Sequence, residues 1–479
     1  MATANRQITI EPVTRVEGHG KVTIQLDEAG QVTDARLHIV EFRGFERFIQ
    51  GRPYWEVPVL VQRLCGICPV SHHLAAAKAM DGIVGAETLT PTAEKIRRLM
   101  HYGQTFQSHA LHFFHLASPD LLFGFDAPAA KRNVIAVAAE HKDLAVQGVM
   151  MRKYGQEIIK ATAGKRIHGT GAVPGGVNKN LSVAERDVFL AEIEQMLAWA
   201  QGALALARNY TEEHLQLATD FGSFPSNHLS IVDAQGGLDL YHGKLRAVTA
   251  DGEVIIDQVD PQDYLDAIAE EVRPWSYMKF PFLKALGPEE GWYRVGPLAR
   301  INTCARINTP LAEAARKDFM ALTGGKPNNL TLAYHWARMI ELVHSAEMIR
   351  DLLHDPDLQG KDLVVKGERR PEWVAIVEAP RGTLFHHYRV DAQDRVTMAN
   401  LIVSTTSNNE PMNRAVRKIA KDHLSGKPEI TEGLLNHVEV GIRAYDPCLS
   451  CATHALGRMP LELTLLDAAG AVLDRKATS

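Results

Sequence analysis

The sequence predicts an α+β fold dominated by helices, in which a long central helical bundle carries small peripheral β-sheets. Apolar and polar residues alternate with the period of strands near the N-terminus, over residues 8–10, 21–26 and 31–42. From Pro58 onward, apolar residues recur at the i, i+3, i+4 and i+7 positions of helices, in segments 59–80, 92–116, 129–162, 183–218 and 332–353. Strand-like patterns return at 229–259 and 373–404, with turns at Gly and Pro.

Length alone suggests roughly two to four domains, but the sequence marks no boundary between them. The 479 residues are 46% hydrophobic, which is enough to bury a sizeable core. No repeat, low-complexity tract or flexible linker marks a domain boundary, because Gly and Pro are spread through the chain. We therefore predict a single body over residues 1–454, with an N-terminal β region at about 6–45, a helical core and a late β segment at about 370–405.

Charge and hydropathy exclude two classes of partner. Lys and Arg total 52 against 57 for Asp and Glu, and no basic block occurs, so the sequence lacks the electrostatic footprint of nucleic-acid binding. Residues 1–11 contain no apolar signal region, and the most apolar helical stretch, 196–207, is shorter than the roughly 20 residues that span a bilayer. We expect a soluble cytoplasmic protein with neither nucleic-acid nor membrane partners.

The five cysteines predict a metal site. Cys65 and Cys68 form one CxxC pair, Cys448 and Cys451 form another near the opposite end of the chain, and Cys304 stands alone. Two thiols at this spacing can face one soft metal, so the fold must bring the chain ends together if all four share it. Structural zinc is the metal that paired CxxC motifs bind most often, and iron-sulfur clusters are the next most common. Zinc modules usually separate their pairs by about 15–20 residues, however, and the long separation here suits a catalytic metal better.

Three other patterns predict structure more than chemistry. The glycine-rich segment 169–176 lacks the Gly-Lys-Ser/Thr ending of a phosphate-binding loop, so we do not assign nucleotide binding to it. His109, His112 and His115 are spaced three apart and turn away from a single helix face, which favours structural roles. Cys304 matches no ligand motif, and a lone thiol is usually a small core residue.

Around the cysteine pairs, the chain resembles the large subunits of nickel-iron hydrogenases. The first cysteine motif of that family, RxCGxCxxxH, is matched by Arg63, Cys65, Gly66, Cys68 and His72. Its last motif, DPCxxCxxH, is matched by Asp446, Pro447, Cys448, Cys451 and His454. Further family-like segments follow in the family's order at 15–19, 43–46, 174–176 and 378–382, so the resemblance covers about residues 8–454. It implies the fold of a nickel-iron hydrogenase large subunit.

The resemblance implies a catalytic metal pair and a reaction. Cys65 and Cys448 would be terminal nickel ligands, and Cys68 and Cys451 would bridge nickel to an iron that carries carbonyl and cyanide. Soft thiolates suit both metals. The implied activity is the reversible oxidation of H2 to protons and electrons.

Glu17 is implied to accept the proton, because the family places this carboxylate beside the position of Cys448. Its alternative interpretation is an ordinary glutamate that flanks a turn.

Four residues are implied to form a canopy over the metal pair. Arg381 would act through charge and position, since a guanidinium does not titrate usefully, with Asp446 beside it. Pro380 and Thr405 would lie near the cyanide ligands. The alternative for Arg381 is a surface ion pair.

The two remaining residues of the first motif are assigned to the same site. His72 would donate toward a bridging thiolate and tune it, and Arg63 is counted among the cofactor-binding residues. One position departs from the family, because Ser108 stands where many relatives carry a canopy acid.

A second metal site and a processing step are also implied. Glu46, His454 and the backbone carbonyl at Leu401 resemble the family's magnesium site, whose carboxylate oxygen suits a hard cation. In this family an endopeptidase removes the tail that follows the last motif, and residues 455–479 would be that maturation peptide. The alternative for the tail is a simple C-terminal strand, since residues 461–465 are apolar.

The ending Asp-Pro-Cys-Leu-Ser-Cys-Ala-Thr-His is most similar to that of the bidirectional, NAD-linked hydrogenases. That branch implies two partners, a flavin-bearing diaphorase and an iron-sulfur small subunit. Three alternatives stay open at this point: a cytoplasmic branch linked to deazaflavin or to heterodisulfide reductase, the quinone-site subunit of respiratory complex I, and a zinc-stabilised structural protein. The complex I relative lacks the four nickel cysteines.

Overall fold

The computed structural model describes residues 6–453, 462–466 and 471–477. Its helices are α1 (Phe45–Phe48), α2 (Val57–Leu60), α3 (Pro69–Ile83), α4 (Pro91–Leu111), α5 (Ser118–Phe123), α6 (Val134–Glu140), α7 (Lys142–Ala163), α8 (Val183–Glu213), α9 (Leu215–Asp220), α10 (Tyr264–Ala267), α11 (Gly287–Glu290), α12 (Pro297–Thr303), α13 (Pro310–Ala321), α14 (Ala333–Leu353), α15 (Ser404–Ser407), α16 (Asn409–Leu424) and α17 (Glu432–Ala444). Within the described ranges, none of these helices is long and apolar enough to cross a bilayer.

The strands are β1 (Arg6–Ile10), β2 (Gly20–Leu26), β3 (Val32–Ile39), β4 (Ala172–Val173), β5 (Gly176–Val177), β6 (Asn227–Val232), β7 (Lys244–Val248), β8 (Val254–Val259), β9 (Ile268–Glu271), β10 (Phe280–Leu283), β11 (Tyr293–Arg294), β12 (Glu372–Ala379), β13 (Gly382–Val390), β14 (Val396–Ile402), β15 (Glu462–Leu466) and β16 (Val472–Ala477). They form small sheets, of which the largest has the order β11-β6-β7-β8. The predicted helix-dominated α+β class with small sheets is confirmed.

The core of the molecule is a bundle of the long helices. Helix α4 packs against α7 and α14, and α14 packs in turn against α8. Sequence signals set the starts of two of these helices: the Thr90 hydroxyl caps α4 at the Ala93 amide, and Ser182 and Glu185 form a capping box on α8. Side chains from α4, α8 and α14 share one large apolar cluster, so this bundle is the scaffold on which the smaller sheets rest.

Most predicted helical segments exist but are broken into pieces. Segment 129–162 divides at His141 into α6 and α7, and segment 92–116 is α4 followed by a π-helical turn at His112–Ala117. The continuous helix predicted over 59–80 is wrong. Cys65 is extended and Cys68 is the N-cap of α3, because Pro69 at the first helical position cannot continue a helix from the preceding turn.

Two sheets and a loop bring the two chain ends to one place. Strands β12, β13 and β14 form an antiparallel sheet on which α3 packs, so the tight turn between β12 and β13 lies near the start of α3. The loop after α17 returns to the N-terminal segment, where Glu17 and Cys448 form a parallel bridge. The fold therefore places residues from both ends beside the β12–β13 turn.

Candidate metal centre

The structure brings all four CxxC thiols together. Cys65 Sγ lies 3.3 Å from Cys448 Sγ, and Cys68 Sγ lies 3.8 Å from Cys451 Sγ. The ligand atoms of the four cysteines all lie within 4.8 Å of one another, and all four residues are buried. The prediction that the fold joins the two pairs is confirmed.

The local backbone explains how each pair presents its sulfurs. The amides of Ile67 and Cys68 both donate to Cys65 Sγ, at 3.2 and 3.3 Å, so the first loop curls around its own thiol. In the second loop, Asp446 adopts a left-handed conformation with φ of 53°, which turns the chain directly after α17. Cys451 then lies in a short 3-10 turn, Ser450–Ala452.

The chemistry of this donor set fits a soft cation. Hydrogen bonds from the Cys448, Cys451 and Cys65 thiols lower the pKa of Cys68. Burial raises the pKa of Cys448 and of Cys451. The cluster therefore stabilises one thiolate, at Cys68. Ionisation of all four sulfurs needs a positive charge among them, which a thiolate-bound metal would supply.

Glu17 is held against the second loop. Its Oε2 lies 3.0 Å from Cys448 Sγ and accepts a hydrogen bond from the Ser450 amide at 3.1 Å. The Glu17 carbonyl accepts from the Leu449 amide at 2.9 Å. A Cβ on Gly18 would lie 2.7 Å from the Ser450 nitrogen, so only glycine allows this close approach. The carboxylate is thus aimed at a thiol by contacts from both chain ends.

A buried ion pair covers the cluster. Arg381 donates through Nε to the Asp446 carbonyl at 2.6 Å and through Nη2 to Asp446 Oδ1 at 3.1 Å. Both side chains are 3% exposed or less, which rules out the surface ion pair as the role of Arg381. Among the described residues, Arg381 Nη1 and Asp446 Oδ2 have no hydrogen-bond partner. Buried polar atoms of this kind mark a place for a further group.

A small cavity separates this ion pair from the thiols. Thr405 Oγ1 accepts the Cys448 amide at 3.0 Å, which fixes the hydroxyl at the cavity wall. The lining residues near the cluster are Cys68, His72, Pro380, Arg381, Thr405, Cys448 and Cys451. The site thus offers room for small ligands beside Cys68 and Cys451.

His72 lies at the edge of the same cavity. Its Nδ1 is 3.2 Å from His386 Nε2, and the other ring nitrogen of His386 is 2.6 Å from the Tyr388 hydroxyl. A hydrogen bond between His72 and the Cys68 thiol contributes to the lowered pKa of Cys68, after those from the other cysteines. His72 is therefore oriented by a chain of side chains behind it.

Arg63 is not brought to the cluster. Its side chain is exposed, and its backbone carbonyl accepts a hydrogen bond from Arg43 Nη2 at 3.1 Å. Within this chain, a contact of the Arg63 side chain with the metal ligands is therefore not formed.

Two of the three residues expected to bind the second metal lie together. Glu46 is buried, and its Oε1 accepts the Leu401 amide at 2.8 Å. The contact uses the amide of Leu401, whereas the expected ligand is its carbonyl. His454 lies outside the described residues.

The other singled-out residues have structural surroundings. His109 Nε2 lies 2.9 Å from Glu341 Oε2, and His112 Nε2 lies 2.7 Å from the Arg443 carbonyl. Burial raises the pKa of the lone Cys304 to about 12, as expected of an inert core thiol. In the glycine-rich segment, the amide of Gly175 points inward to Asp81 Oδ1 at 2.7 Å, so it is not free to bind a phosphate.

Sequence reasoning missed one charged cluster next to the site. Arg300, Glu341 and Glu378 are completely buried and joined by ion pairs beneath the β12–β13 turn. The available signal was the presence of ionisable residues inside otherwise apolar segments, because charged side chains are rarely buried unless paired. Of the three, only Glu378 stands in a segment singled out from the sequence, 378–382, and nothing in that segment indicated its ion pair with Arg300.

Comparisons with known proteins agree on one family. The family model described as nickel-dependent hydrogenase matches residues 43–143 and 241–454, and a second model, described as HoxL-like, matches residues 7–42. The chain is 52% identical to the NAD-reducing hydrogenase HoxS subunit beta of Cupriavidus necator, covering 99% of this chain and 100% of the relative. It is 42% identical to the matching chain of the F420-non-reducing hydrogenase of Methanothermobacter thermautotrophicus, covering 94% and 95% of the two chains.

Solved structures support the same assignment. The crystal structure of an NAD+-reducing [NiFe]-hydrogenase in the H2-reduced state matches with a TM-score of 0.92 and 59% identity, covering 94% of this chain and 99% of that one. The Ni-Fe-Se hydrogenase of Desulfovibrio vulgaris Hildenborough, at 24% identity and a TM-score of 0.76, shares the fold. These matches set aside the zinc-stabilised structural protein, and the chain belongs to the nickel-dependent hydrogenase family, as a catalytic nickel-iron hydrogenase subunit.

Proposed function

We propose that this chain activates H2 in an NAD+-reducing hydrogenase and passes electrons through an iron-sulfur small subunit to a flavin diaphorase. The observation that carries the activity is the cluster of four buried thiols, covered by Arg381 and contacted by Glu17. The NAD-linked branch is supported by two relatives, which are 52% and 59% identical and are named as NAD-reducing hydrogenases. The F420-non-reducing branch, at 42% identity, is the second candidate.

Cys65 and Cys448 would hold nickel as terminal ligands, and Cys68 and Cys451 would bridge nickel to an iron with carbonyl and cyanide ligands. The four sulfurs all lie within 4.8 Å of one another, which supports one shared metal site, and the division into terminal and bridging ligands comes from the resemblance of the two cysteine motifs. When bound, the metal pair supplies the soft Lewis acid and the electron acceptor needed to split H2 into protons and electrons.

Glu17 would take up the proton. Cys448 Sγ lies 3.0 Å from Glu17 Oε2, so a proton held at this sulfur is within reach of the carboxylate for direct transfer. The hydrogen bond from the Ser450 amide stabilises the carboxylate and keeps it facing the thiol. The protein therefore supplies a fixed acceptor next to the reacting centre.

The canopy residues would position and shield the diatomic ligands. Pro380 adds apolar surface that excludes water, while Thr405 is fixed by the Cys448 amide. Arg381 Nη1 is a donor without a protein acceptor among the described residues at this cavity, and Asp446 holds the rest of the guanidinium. An anionic ligand such as cyanide is the chemistry that this donor suits. His72 would tune the bridging thiolate of Cys68.

We also propose a magnesium site at Glu46, the Leu401 carbonyl and His454, completed when a maturation endopeptidase removes residues 455–479. The contact between Glu46 and Leu401 supports a shared site for two of these ligands.

A cytoplasmic location of the protein fits the proposed electron acceptor, because NAD+ is a coenzyme of that compartment. The mass of the mature protein tests the processing step: a chain that ends at His454 supports it, and a full-length active chain contradicts it.

Infrared spectroscopy combined with metal analysis of the purified complex tests the function as a whole. We expect one nickel per chain, stretching bands of metal-bound carbonyl and cyanide, and H2-dependent reduction of NAD+. Zinc in place of nickel, without those bands, would contradict the nickel-iron centre. Activity with a viologen dye but not with NAD+, in a complex that lacks a diaphorase, would favour the second branch.

A further inference from the structure

The turn between β12 and β13 carries Pro380 and Arg381, two of the canopy residues of the proposed nickel-iron site. Within the described part of the chain, the hydrogen bonds of the Arg381 side chain all go to Asp446. To keep the Arg381 guanidinium over the thiol cluster, the backbone of this turn must be fixed as well. Two of the residues that fix it, Arg300 and Glu341, lie outside the motifs that define the site, and the third, Glu378, begins the 378–382 segment.

Arg300, on α12, holds this turn from below. Its Nη1 donates to the Ala379 carbonyl at 3.0 Å, and its Nη2 donates to the Pro380 carbonyl at 3.1 Å. The same guanidinium binds Glu378 Oε2 at 2.7 Å and Glu341 Oε1 and Oε2 at 2.5 and 2.6 Å. Arg300 therefore ties the backbone of the turn to two carboxylates on separate elements, the β12 strand and the α14 helix.

The two carboxylates are themselves fixed. Glu378 Oε1 accepts from the Ile231 amide at 2.9 Å and from the Thr383 hydroxyl at 2.8 Å, so this side chain links β12 to β6 and to β13. Glu341 also contacts His109 on α4, at 2.9 Å. Arg300, Glu341 and Glu378 together form a clamp on the turn, and Glu341 anchors this clamp in the central helical bundle.

The opposite side of the turn has no room to move. A Cβ on Gly296 would lie 2.8 Å from the Arg381 carbonyl oxygen, and a Cβ on Gly382 would lie 2.7 Å from the Gly296 nitrogen. Both glycines have positive φ, at 95° and 137°. The turn is therefore pressed between the backbone that begins α12 and the guanidinium of Arg300.

The two carboxylates differ in charge stability: burial raises the pKa of Glu378, whereas the ionised form of Glu341 is favoured. Burial opposes ionisation of Glu341, but the nearby Arg300 guanidinium outweighs it and lowers the pKa of Glu341 to about 2. Arginine also keeps its charge when buried, and its planar fork can serve several acceptors at once. A lysine at this position would keep the charge but could not reach two carboxylates and two carbonyls together.

We infer that Arg300 is a positioning residue for H2 activation: through Glu341 and Glu378 it sets the place of the Pro380–Arg381 turn over the four-cysteine cluster. This inference rests on the proposed nickel-iron function, because it assigns Arg300 to the geometry of that site. It gives the clamp a role beyond folding, since the turn would be the part of the molecule that moves when the clamp is weakened.

Arg300→Lys in the purified complex tests the inference, with Glu378→Gln as a second variant of almost unchanged shape. The matched control is Arg97→Lys, because Arg97 is also fully buried and binds a carboxylate, Asp81, and the carbonyls of Val173 and Gly176, but does not contact the turn. Four quantities are measured: nickel content, kcat for H2 oxidation, the infrared bands, and hydrogen–deuterium exchange of peptides that contain residues 376–384.

We expect both test variants to lower kcat about 100-fold at full nickel content, as a small misplacement of a catalytic group can do. They should also speed exchange in the turn and shift the cyanide bands, whereas Arg97→Lys should leave all three at wild-type values. If a variant loses nickel, faster exchange confined to the turn still supports the inference, and unchanged exchange overturns it. Wild-type kcat in Arg300→Lys also overturns it. Absence of the bands from the wild-type complex would instead refute the proposed metal ligands.

Discussion

The Glu17 carboxylate and the Cys448 thiol lie 3.0 Å apart, although 431 positions separate them in the chain. The contact is not an accident of side-chain placement, since the backbones of these two residues also form a parallel bridge. Gly18 permits the close approach and the Ser450 amide holds the carboxylate. The fold thus joins the proposed proton acceptor, from the N-terminal region, to a proposed metal ligand near the other end of the chain.

Glu17→Gln should remove proton transfer while leaving the metal site intact. Glutamine has nearly the same shape and can keep a hydrogen bond from the Ser450 amide, but it cannot accept a proton at neutral pH. Loss of a positioned acid-base group typically costs two to four orders of magnitude, so H2 oxidation should fall at least about 100-fold. Nickel content and H2-oxidation rate of the same preparation check this.

Glu11→Gln is the matched control for Glu17→Gln, because Glu11 lies in the same N-terminal region but is exposed and paired with Lys21. Its activity should equal that of the wild type. Near-normal H2 oxidation in Glu17→Gln at full nickel content would refute the assigned role.

The cysteine pairs show how far sequence reasoning reaches. Spacing within each pair, Cys65 with Cys68 and Cys448 with Cys451, was sufficient to predict a shared soft-metal site, and the structure joins them. The reason is local, because a CxxC loop brings its own two sulfurs close whatever the rest of the chain does. The N-terminal sheet and the late β segment were predictable for the same reason, since their alternating patterns are set by neighbours in sequence.

Features that depend on distant contacts escaped prediction. The break at Cys65 to Cys68 is a different case, because Pro69 is a local signal for it, but the apolar pattern continues with helical period on both sides and concealed it. The clamp at Arg300 and Glu341 joins α12 to α14, and neither residue stands in a motif, although Arg300 contacts the Ala379 and Pro380 carbonyls of the 378–382 segment. Tertiary contacts determine where such charged residues are buried, and the periodicity of the sequence carries no information about those contacts.

Cys448→Ser should abolish both nickel retention and H2 oxidation, because the hydroxyl is a poor ligand for a soft metal and nickel loses one of its two proposed terminal thiolates. Cys304→Ser is the control, since Cys304 is equally buried but has its pKa raised to about 12 by burial and lies outside the four-cysteine cluster. We expect full nickel content and activity in the control. Nickel bound at wild-type stoichiometry in Cys448→Ser would refute its assignment as a ligand.

Arg381→Lys should lower kcat for H2 oxidation by about 100-fold or more while nickel stays bound, because lysine cannot make both contacts with Asp446 and still point a donor into the cavity. The KM for H2 should change little, since H2 makes no polar contact. A parallel assay of Arg369→Lys, at an exposed arginine paired with Asp394, should show wild-type values. A wild-type kcat in Arg381→Lys would contradict the proposed role of Arg381 in H2 oxidation.

Acid should destabilise the protein well before its carboxylates titrate, because several histidines are buried in the neutral form. Burial lowers the pKa to about 4 in His73, His101, His109 and His344, and to about 3 in His228 and His335. In the unfolded chain these groups take up protons near pH 6.5. Stability is therefore complete above about pH 6.5 and falls as the pH drops toward 4, by up to about 1.4 kcal/mol per pH unit for each histidine.

His101→Gln isolates one of these contributions, since the His101 ring binds the Leu240 carbonyl and glutamine can replace that donor. The thermal midpoint of the complex should fall less between about pH 6.5 and pH 5 in this variant than in the wild type, because one group no longer binds extra protons on unfolding. His19→Gln, at a side chain that is 69% exposed, should retain the wild-type slope. Identical slopes in His101→Gln and the wild type would mean that His101 does not remain neutral in the folded protein and that acid lability has another source.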